Sequence, residues 1–221
     1  EYRDRLILSV GHVAPVLYST LAHAGYFPKE ELLGLRQLGS RLQGHPSKEH
    51  GLPGIEVSSG SLGQGLSISV GIALASRYDK KNINVYSIHG DGELQEGSIW
   101  EAAMSAAFYN LDNITAIIDR NRKQIDGDTE SVMAIEPLKD KWEAFGWNCV
   151  VCNGHDIKEL ISVFSKTKNK KGKPKVIIAN TIMSKGISSI QDKHEWHGKI
   201  PTQKQVSQFL KELDKMYYET E

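Results

Sequence analysis

Two short stretches of the sequence carry oxygen-bearing side chains next to apolar runs. The stretch "HGDGELQEG" holds Asp91 between Gly90 and Gly92, and "DRNRKQIDG" holds Asn121. A carboxylate and an amide oxygen are hard ligands that suit Mg²⁺, which often completes its shell with phosphate oxygens. Alone, an aspartate between two glycines is more often a turn residue than a metal ligand. It is the pairing with Asn121 that favours the metal interpretation.

The elements around these stretches predict that they meet in space. The runs VYSI and TAIID precede them and favour buried strands, and the segment WEAAMSAAF between the strands favours a helix. Strands of such a strand-helix-strand unit lie parallel and end at the same edge of the sheet, where ligands bind in open α/β folds. Gly90 and Gly92 would let the backbone approach a diphosphate, and the helix beginning near Ser98 would contribute its dipole. Asp91 and Asn121 are therefore predicted to hold a metal that holds a phosphate.

The rest of the chain alternates in the same way, which predicts an α/β fold with a parallel sheet flanked by helices. We expect one domain over residues 1–221. A basic loop at 166–175 and an irregular segment at 183–202 interrupt the pattern. Strands are predicted at 5–10, 83–90, 113–121, 147–154 and 173–182, and helices at 13–25, 27–39, 61–78, 98–110, 137–146, 157–167 and 203–218.

Cys149 and Cys152 form a CxxC pattern, which in other contexts binds metal or does redox chemistry. Both fall within a predicted strand, where residues three apart point to opposite faces. We therefore favour two core or half-buried cysteines over a redox or metal pair.

Composition argues against two classes of partner. The formal net charge is zero, which does not favour nucleic acid, and no apolar run approaches the roughly 20 residues of a membrane span. The N-terminal residues EYRDRL lack the apolar core of a signal peptide. We expect a cytoplasmic protein with no nucleic-acid or membrane partner.

Several longer blocks of the sequence together cover about nine-tenths of the chain. They are LILSVGHVAPVLYSTLAHAGYF, LGSRLQGHP, GIEVSSGSLGQGLSISVGIALA, GDGELQEGSIWEAA, DRNRKQIDG, FGWNCVVCNGHD and EWHGKIPT. These blocks closely resemble the thiamine-diphosphate-binding half of transketolases. The LQEG that follows GDG weighs against the related pyruvate-using deoxyxylulose phosphate synthases.

This resemblance implies thiamine diphosphate and Mg²⁺ as cofactors. It implies Asp91, Asn121 and the backbone carbonyl of Lys123 as metal ligands, and it places Gly90 and Gly92 against the cofactor, with the Gly92 amide on the diphosphate. The remaining positions that it implies are His12 and His197 at the diphosphate and reacting centre, His45 in the substrate channel, Gly60, Ser61 and Leu62 packed against the cofactor, Ile125 beside the thiazolium ring, and Glu96 in the cofactor pocket.

Each of these residues also has an ordinary interpretation. A histidine in a chain with eight of them is more often solvated or structurally hydrogen-bonded. Glu96 and Glu101 could be first-turn helix acids, which the helix dipole favours, although the resemblance places Glu101 in a carboxylate network across the interface.

By the same resemblance, the chain provides half of an active site. The glutamate and aromatic pocket that hold the pyrimidine ring of the cofactor belong to a second domain, and this chain ends at YYETE before one. We therefore expect the partner to be a C-terminal transketolase subunit, with two copies of each subunit, and we expect sugar phosphates to be the substrates. The alternatives are a related two-subunit ketol transferase for an unusual sugar phosphate and a non-catalytic scaffold subunit.

Three departures from the family pattern bear on the substrate. An upstream glycine-histidine-proline motif would precede Glu1, Ser61 stands where many members have proline, and the loop before His197 differs from the commoner glycine-lysine-glycine form.

Overall fold

The computed structural model describes residues 3–218, and its centre is a parallel sheet of five strands in the order β1-β2-β3-β7-β6. Two further short strands, β4 and β5, pair antiparallel as a separate hairpin. The predicted α/β class with a parallel sheet is confirmed. The strands are β1 Arg5–Leu8, β2 Val85–Gly90, β3 Ile114–Arg120, β4 Lys123–Gln124, β5 Gly127–Asp128, β6 Asn148–Asn153 and β7 Lys175–Asn180.

Six of the seven predicted helices are present, with ends that differ by a few residues. Asp156 caps one of them as its side chain accepts a hydrogen bond of 3.0 Å from the Glu159 amide. The predicted single domain over 1–221 includes residues 1, 2 and 219–221, which lie outside the described residues, and it stays a prediction. The helices are α1 Ala14–His23, α2 Gln64–Tyr78, α3 Gly97–Phe108, α4 Thr129–Val132, α5 Leu138–Ala144, α6 Ile157–Lys168 and α7 Gln203–Tyr218.

The helix predicted over 27–39 is wrong. Only a short 3₁₀ segment forms, at Lys29–Gly34. Arg36 has a φ of +59° and its amide donates to the Leu42 carbonyl at 2.8 Å, so the chain reverses where the helix would continue. Its apolar residues do not form one buried face: Phe27 is buried and Leu32 and Leu35 pack partly against α1, whereas Leu33 is 83% exposed and Leu38 is fully exposed. With so little apolar surface on a single face, the segment gains little from forming a long helix.

The basic loop predicted over 166–175 is also only partly correct. Residues 166–168 end α6, and Lys175 begins β7. The Lys175 side chain is buried and its ammonium donates to the carbonyl of Asp112. Burial lowers the pKa of Lys175. The irregular part of this basic stretch is therefore limited to residues 169–174.

Alternate residues of the strands face two layers of helices. On β7, Val176 and Ile178 pack with α2, α3 and α5, whereas Ile177 and Ala179 pack with α6. On the α6 side of the sheet a separate cluster joins β1 to α1. The sheet is thus covered on both faces, and its carboxyl edge is left for the loops.

The two cysteines follow this alternation. Cys149 packs against the α2, α3 and α5 layer, and Cys152 packs against α6. Burial raises the pKa of the Cys149 thiol to about 12 and also raises that of Cys152. Both thiols therefore stay protonated and separated by the sheet, which supports the core interpretation.

Within residues 3–218, no helix combines the length and the apolar character that crossing a membrane requires.

Three tryptophans pack against one another in the core. Trp142 is fully buried, and its ring centroid lies 5.2 Å from that of Trp100 and 4.9 Å from that of Trp147. We predict that Trp142→Ala lowers the free energy of unfolding by about 3–5 kcal/mol, the usual cost of a large core cavity. Denaturant unfolding measures this change. Phe108→Ala is the control, because Phe108 is 77% exposed, and an equal loss in both variants would contradict the prediction.

Candidate functional site

The strand ends that carry Asp91 and Asn121 meet as the spacing predicts. Strands β2 and β3 are parallel neighbours, with Gly90 paired to Asp119. Asp91 follows β2 and Asn121 follows β3, so both lie at the carboxyl edge of the sheet. The Asp91 carboxylate reaches across this edge and accepts a 2.7 Å hydrogen bond from the Arg122 amide. The geometric part of the prediction is therefore confirmed.

Asp91 is buried against an arginine that the sequence did not single out. Its Oδ2 also accepts from Arg120 at 2.7 Å, while its Oδ1 has the hydroxyl of Thr129 at 3.3 Å. Arg120 is itself 2% exposed and pairs in addition with Glu130 and Glu136, at 2.8 and 2.9 Å. Burial raises the pKa of Asp91, and the hydrogen bonds from Arg120 and the Arg122 amide offset only part of that rise. Oδ2 is thus held by the protein, and Oδ1 is less constrained.

The donor chemistry at this edge fits Mg²⁺. In residues 3–218 no three His, Cys, Asp or Glu side chains are grouped as metal ligands, so a cation here would rely on the Asp91 carboxylate, the Asn121 amide oxygen and backbone oxygen. The Asn121 oxygen points toward Lys123, whose amide donates to it at 2.9 Å. These are hard oxygen donors of the kind that Mg²⁺ prefers. Because the protein would supply only one carboxylate and a few neutral oxygens, the other coordination positions of the ion would remain for phosphate oxygens or water. The assignment of Asp91, Asn121 and Lys123 as ligands stays a prediction.

Three histidines from distant parts of the chain come together beside the strand ends. The ring centroids of His12 and His197 are 5.5 Å apart. A Cβ added to Gly60 would lie 3.3 Å from the His45 ring, and one added to Gly11 would lie 2.8 Å from the Gly60 amide nitrogen. The loop after β1, the loop before α2 and the segment around His197 therefore pack against one another.

Burial changes the proton affinity of two of these histidines. It lowers the pKa of His12, and the neighbouring His197 and His45 lower it further, whereas Glu93 raises it. Burial also lowers the pKa of His197, against a raising effect from Asp91. Both rings are consequently neutral at pH 7 and can accept a hydrogen bond or a proton.

Glycines mark where the remaining predicted residues meet the site. A Cβ on Gly198 would lie 3.2 Å from the Cδ1 of Ile125, so the β4–β5 hairpin touches the segment that holds His197. A Cβ on Gly92 would lie 3.3 Å from Gln124 of the same hairpin. The absence of a side chain at Gly198 and Gly92 thus leaves room for Ile125 and Gln124.

The predicted residues Ser61, Leu62 and Glu96 lie at the same edge in different surroundings. Ser61 is exposed, and Leu62 packs partly into the α1 cluster. Glu96 is exposed and contacts Gly63, where an added Cβ would lie 2.8 Å from the Cβ of Glu96. Their roles toward a cofactor stay predictions.

Sequence reasoning missed a second buried carboxylate of the site, Glu93. It is 2% exposed and accepts hydrogen bonds from Ser9 and from the amides of Gly63 and Gly90. Burial alone would raise the pKa of Glu93, yet together His89, Ser9 and the Gly63 amide hold it below its ordinary value. Nothing in the letters GELQEG distinguishes Glu93 from the exposed Glu96.

A cleft of about 300 Å³ opens beside the predicted metal ligands Asn121 and Lys123. Thr181 and Ile182, which follow β7, line its other side. The Ile182 amide donates to the His155 ring at 2.7 Å, so His155 helps to fix the start of the irregular segment. The sequence indicated the position of Ile182 only through the predicted strand 173–182, which places its carboxyl end at the same edge of the sheet.

Comparison with known proteins identifies the family. The family model described as "Transketolase, thiamine diphosphate binding domain" matches residues 1–217. The chain belongs to the transketolase family. The resemblance drawn from the motif blocks is thus confirmed.

Curated relatives of this transketolase-family chain include full-length enzymes and subunits. It is 44% identical to one subunit of the apulose-4-phosphate transketolase from Phocaeicola vulgatus, over 96% of this chain and 74% of the relative. It is also 44% identical to "6-deoxy-6-sulfo-D-fructose transketolase subunit SqwG" from Clostridium sp., over 96% and 77%. The transketolase of Pongo abelii is 41% identical, with 96% of this chain but 33% of the relative covered.

A solved structure supports the same fold. The transketolase of Campylobacter jejuni matches with a TM-score of 0.90 and 34% identity, covering 96% of this chain. This chain spans about a third of that enzyme, 34% of its length.

The half-buried histidines His12 and His197 predict a specific pH dependence of stability. The folded-state pKa values of His12 and His197 lie below the ordinary value of 6.5. At a pH between the folded-state and the unfolded-state pKa of these histidines, the unfolded chain therefore binds more protons than the folded chain. The free energy of unfolding should therefore fall as the pH decreases from about 7 through this window. We predict that the double variant His12→Asn/His197→Asn flattens this decrease, as measured by urea unfolding between about pH 7 and 5. The control is His50→Asn, at an exposed position, and an unchanged slope in the double variant would contradict the prediction.

Proposed function

We propose that this chain is the thiamine-diphosphate- and Mg²⁺-binding subunit of a two-component transketolase, which transfers a two-carbon ketol unit from a ketose phosphate to an aldose phosphate. One observation carries the proposal. The loops of Asp91 and Asn121 converge with His12, His45 and His197 at one sheet edge, in a chain whose 44% identical relatives are named as transketolase subunits.

The chain's own residues have separate tasks in this proposal. Thiamine diphosphate, when bound, supplies a carbon nucleophile that can take up a two-carbon unit from a ketose. Asp91, Asn121 and the Lys123 carbonyl hold Mg²⁺, and the Gly92 amide and His12 bind the diphosphate. The exposed side chain of Ile125 provides an apolar surface that displaces water from the ring of the cofactor.

The histidines handle protons on the substrate side. His197 is neutral at pH 7 because burial lowers its pKa, so it can accept a proton from a substrate hydroxyl and return it. His45 is exposed and lies where a sugar phosphate would approach. Glu96, also exposed, is available to a group that completes the site from outside the chain.

We further propose that a separate C-terminal subunit completes the site and holds the pyrimidine end of the cofactor, with two copies of each subunit in a heterotetramer. Two relatives are named as subunits, and symmetric assembly is the usual form of such complexes. The exposed apolar residues Met104 and Phe108 of α3 are available for burial in such a complex.

The names of the relatives favour a second candidate for the substrate. They specify apulose-4-phosphate and 6-deoxy-6-sulfo-D-fructose, so a less common ketose that carries a phosphate or a sulfonate is a specific alternative donor. A panel of ketose donors with a common aldose acceptor distinguishes this candidate from an ordinary pentose phosphate substrate.

The two-component proposal predicts that neither subunit is active alone. The chain, the candidate C-terminal partner and their mixture are each assayed for two-carbon transfer with thiamine diphosphate and Mg²⁺. We expect turnover only in the mixture, because each subunit holds one end of the cofactor. Turnover by the chain alone at the rate of the mixture would refute the split site. Absence of turnover in the mixture with every donor would favour a non-catalytic scaffold.

The proposed metal site predicts the effect of a single neutral substitution. Asp91→Asn keeps the size of the side chain and an acceptor for Arg120 but removes the charge that attracts Mg²⁺. We expect the Mg²⁺-dependent affinity of the assembled complex for thiamine diphosphate to fall at least about tenfold, as measured by calorimetry. Asp140→Asn is the control, an exposed carboxylate of α5 away from the strand ends. An affinity unchanged in Asp91→Asn would exclude Asp91 as a ligand.

A further inference from the structure

The buried carboxylate of Glu93 lies where three loops of the site meet. Glu93 belongs to the 3₁₀ turn Gly92–Gln95 that follows β2. One of its oxygens, Oε1, accepts from the Ser9 hydroxyl and, at 2.8 Å, from the Gly63 amide. The other, Oε2, accepts from the Gly90 amide at 3.2 Å and lies 3.3 Å from Nδ1 of His89. Both oxygens are thus used, and both bind protein groups.

Each of these donors belongs to a segment that carries predicted cofactor residues. Ser9 follows β1 and precedes His12 by three positions, Gly63 closes the loop that holds Gly60, and Gly90 begins the loop of Asp91. A single carboxylate therefore ties together the three segments.

Close packing makes this connection rigid. A Cβ added to Gly65 would lie 2.3 Å from the Cβ of Ser9, and one added to Gly63 would lie 2.5 Å from the hydroxyl oxygen of Ser98. The Ser9 hydroxyl, besides donating to Glu93, accepts from the Gly65 amide at 3.1 Å. The start of α2 is thereby held against the loop after β1, and a shift of either loop would break a bond in this cluster.

We propose that Glu93 is a positioning residue for thiamine diphosphate, holding the loops of His12, Gly60 and Asp91 in the arrangement that binds the cofactor without touching it. This inference rests on the proposed function, because it concerns the same site. The residue acts through backbone amides and a hydroxyl, and it leaves the reacting groups to its neighbours.

The test uses Glu93→Gln in the complex of the full chain with its partner subunit. Glutamine keeps the size of the side chain but replaces one accepting oxygen with an amide group that cannot accept a hydrogen bond. At saturating Mg²⁺, we expect the Kd for thiamine diphosphate to rise at least about tenfold, the loss typical of one hydrogen bond to a charged group. The KM for thiamine diphosphate should rise with it, and kcat at saturating cofactor should be retained. Calorimetry and steady-state kinetics measure these quantities.

Two further variants separate positioning from general stability. Asp112→Asn removes a carboxylate that accepts from the Gly172 amide at 3.0 Å and pairs with Arg77 at 3.3 Å, next to the start of β3 at the opposite edge of the sheet. It should lower the Tm and leave the Kd unchanged. Ser9→Ala removes one donor to Glu93 and should raise the Kd in the same direction. If Glu93→Gln does not fold, the Kd of Ser9→Ala for thiamine diphosphate tests the positioning role instead.

The outcomes that would overturn the inference are distinct from those that would overturn the proposed function. Unchanged or tighter cofactor binding in the foldable variants at Glu93 and Ser9 would overturn the positioning role. So would equal weakening by Asp112→Asn at a matched loss of Tm, or a fall in kcat at saturating cofactor with an unchanged KM. If the wild-type complex binds no thiamine diphosphate, the proposed function itself fails, and this inference with it.

Discussion

The parallel pairing of β2 with β3 is the constraint on which the rest of the site depends. This pairing places the residues after the two strands side by side, so the Asp91 carboxylate can accept a hydrogen bond from the backbone amide of Arg122. Along the chain, these two residues are separated by α3 and β3. The pairing in turn needs the buried layer of α2, α3 and α5 on one face, because a parallel sheet is stable only when both faces are covered. The tryptophan cluster in this helix layer therefore supports the strand pairing that positions the site.

The burial of charged side chains at this sheet edge opposes folding. Asp91, Glu93 and Arg120 are each no more than 2% exposed, and a buried charge without partners would be strongly destabilising. Each of them is instead surrounded by groups of the opposite charge or by hydrogen-bond donors. The pairs of Arg120 with Glu130 and Glu136 extend this compensation from the sheet edge to α4 and the segment that follows it. Such networks hold the loops in a single arrangement before a ligand arrives, which reduces the ordering cost of binding.

The residues of the site lie on loops, and these loops make contacts with helices and turns that hold them in place. The irregular segment that carries His197 contacts α7, where Trp196 packs on Phe209 at 5.4 Å and the Ser189 amide donates to Glu212 at 3.0 Å. Its start is held by His155 after β6. The His12 loop is held by the Ser9 hydroxyl, which donates to Glu93, and the Ile125 hairpin lies close to Gly198 and Gly92. The histidines can meet although they are distant in sequence, because the loops that carry them pack against one another at the carboxyl edge of the sheet.

The sequence by itself determined the α/β class, the five strands of the sheet, six of the helices and the meeting of Asp91 with Asn121. These follow from local hydrophobic period and from the rule that parallel strands of a strand-helix-strand unit end at one edge. It failed where the outcome depends on distant contacts: the chain reverses at Arg36, so residues 27–39 form no long helix, and Lys175 is buried although it belongs to a basic stretch. Glu93 and Glu96 show the limit most clearly. They are the same residue three positions apart, and only the tertiary structure, by placing Ser9, Gly63 and Gly90 around one of them, decided that Glu93 is buried and Glu96 is exposed.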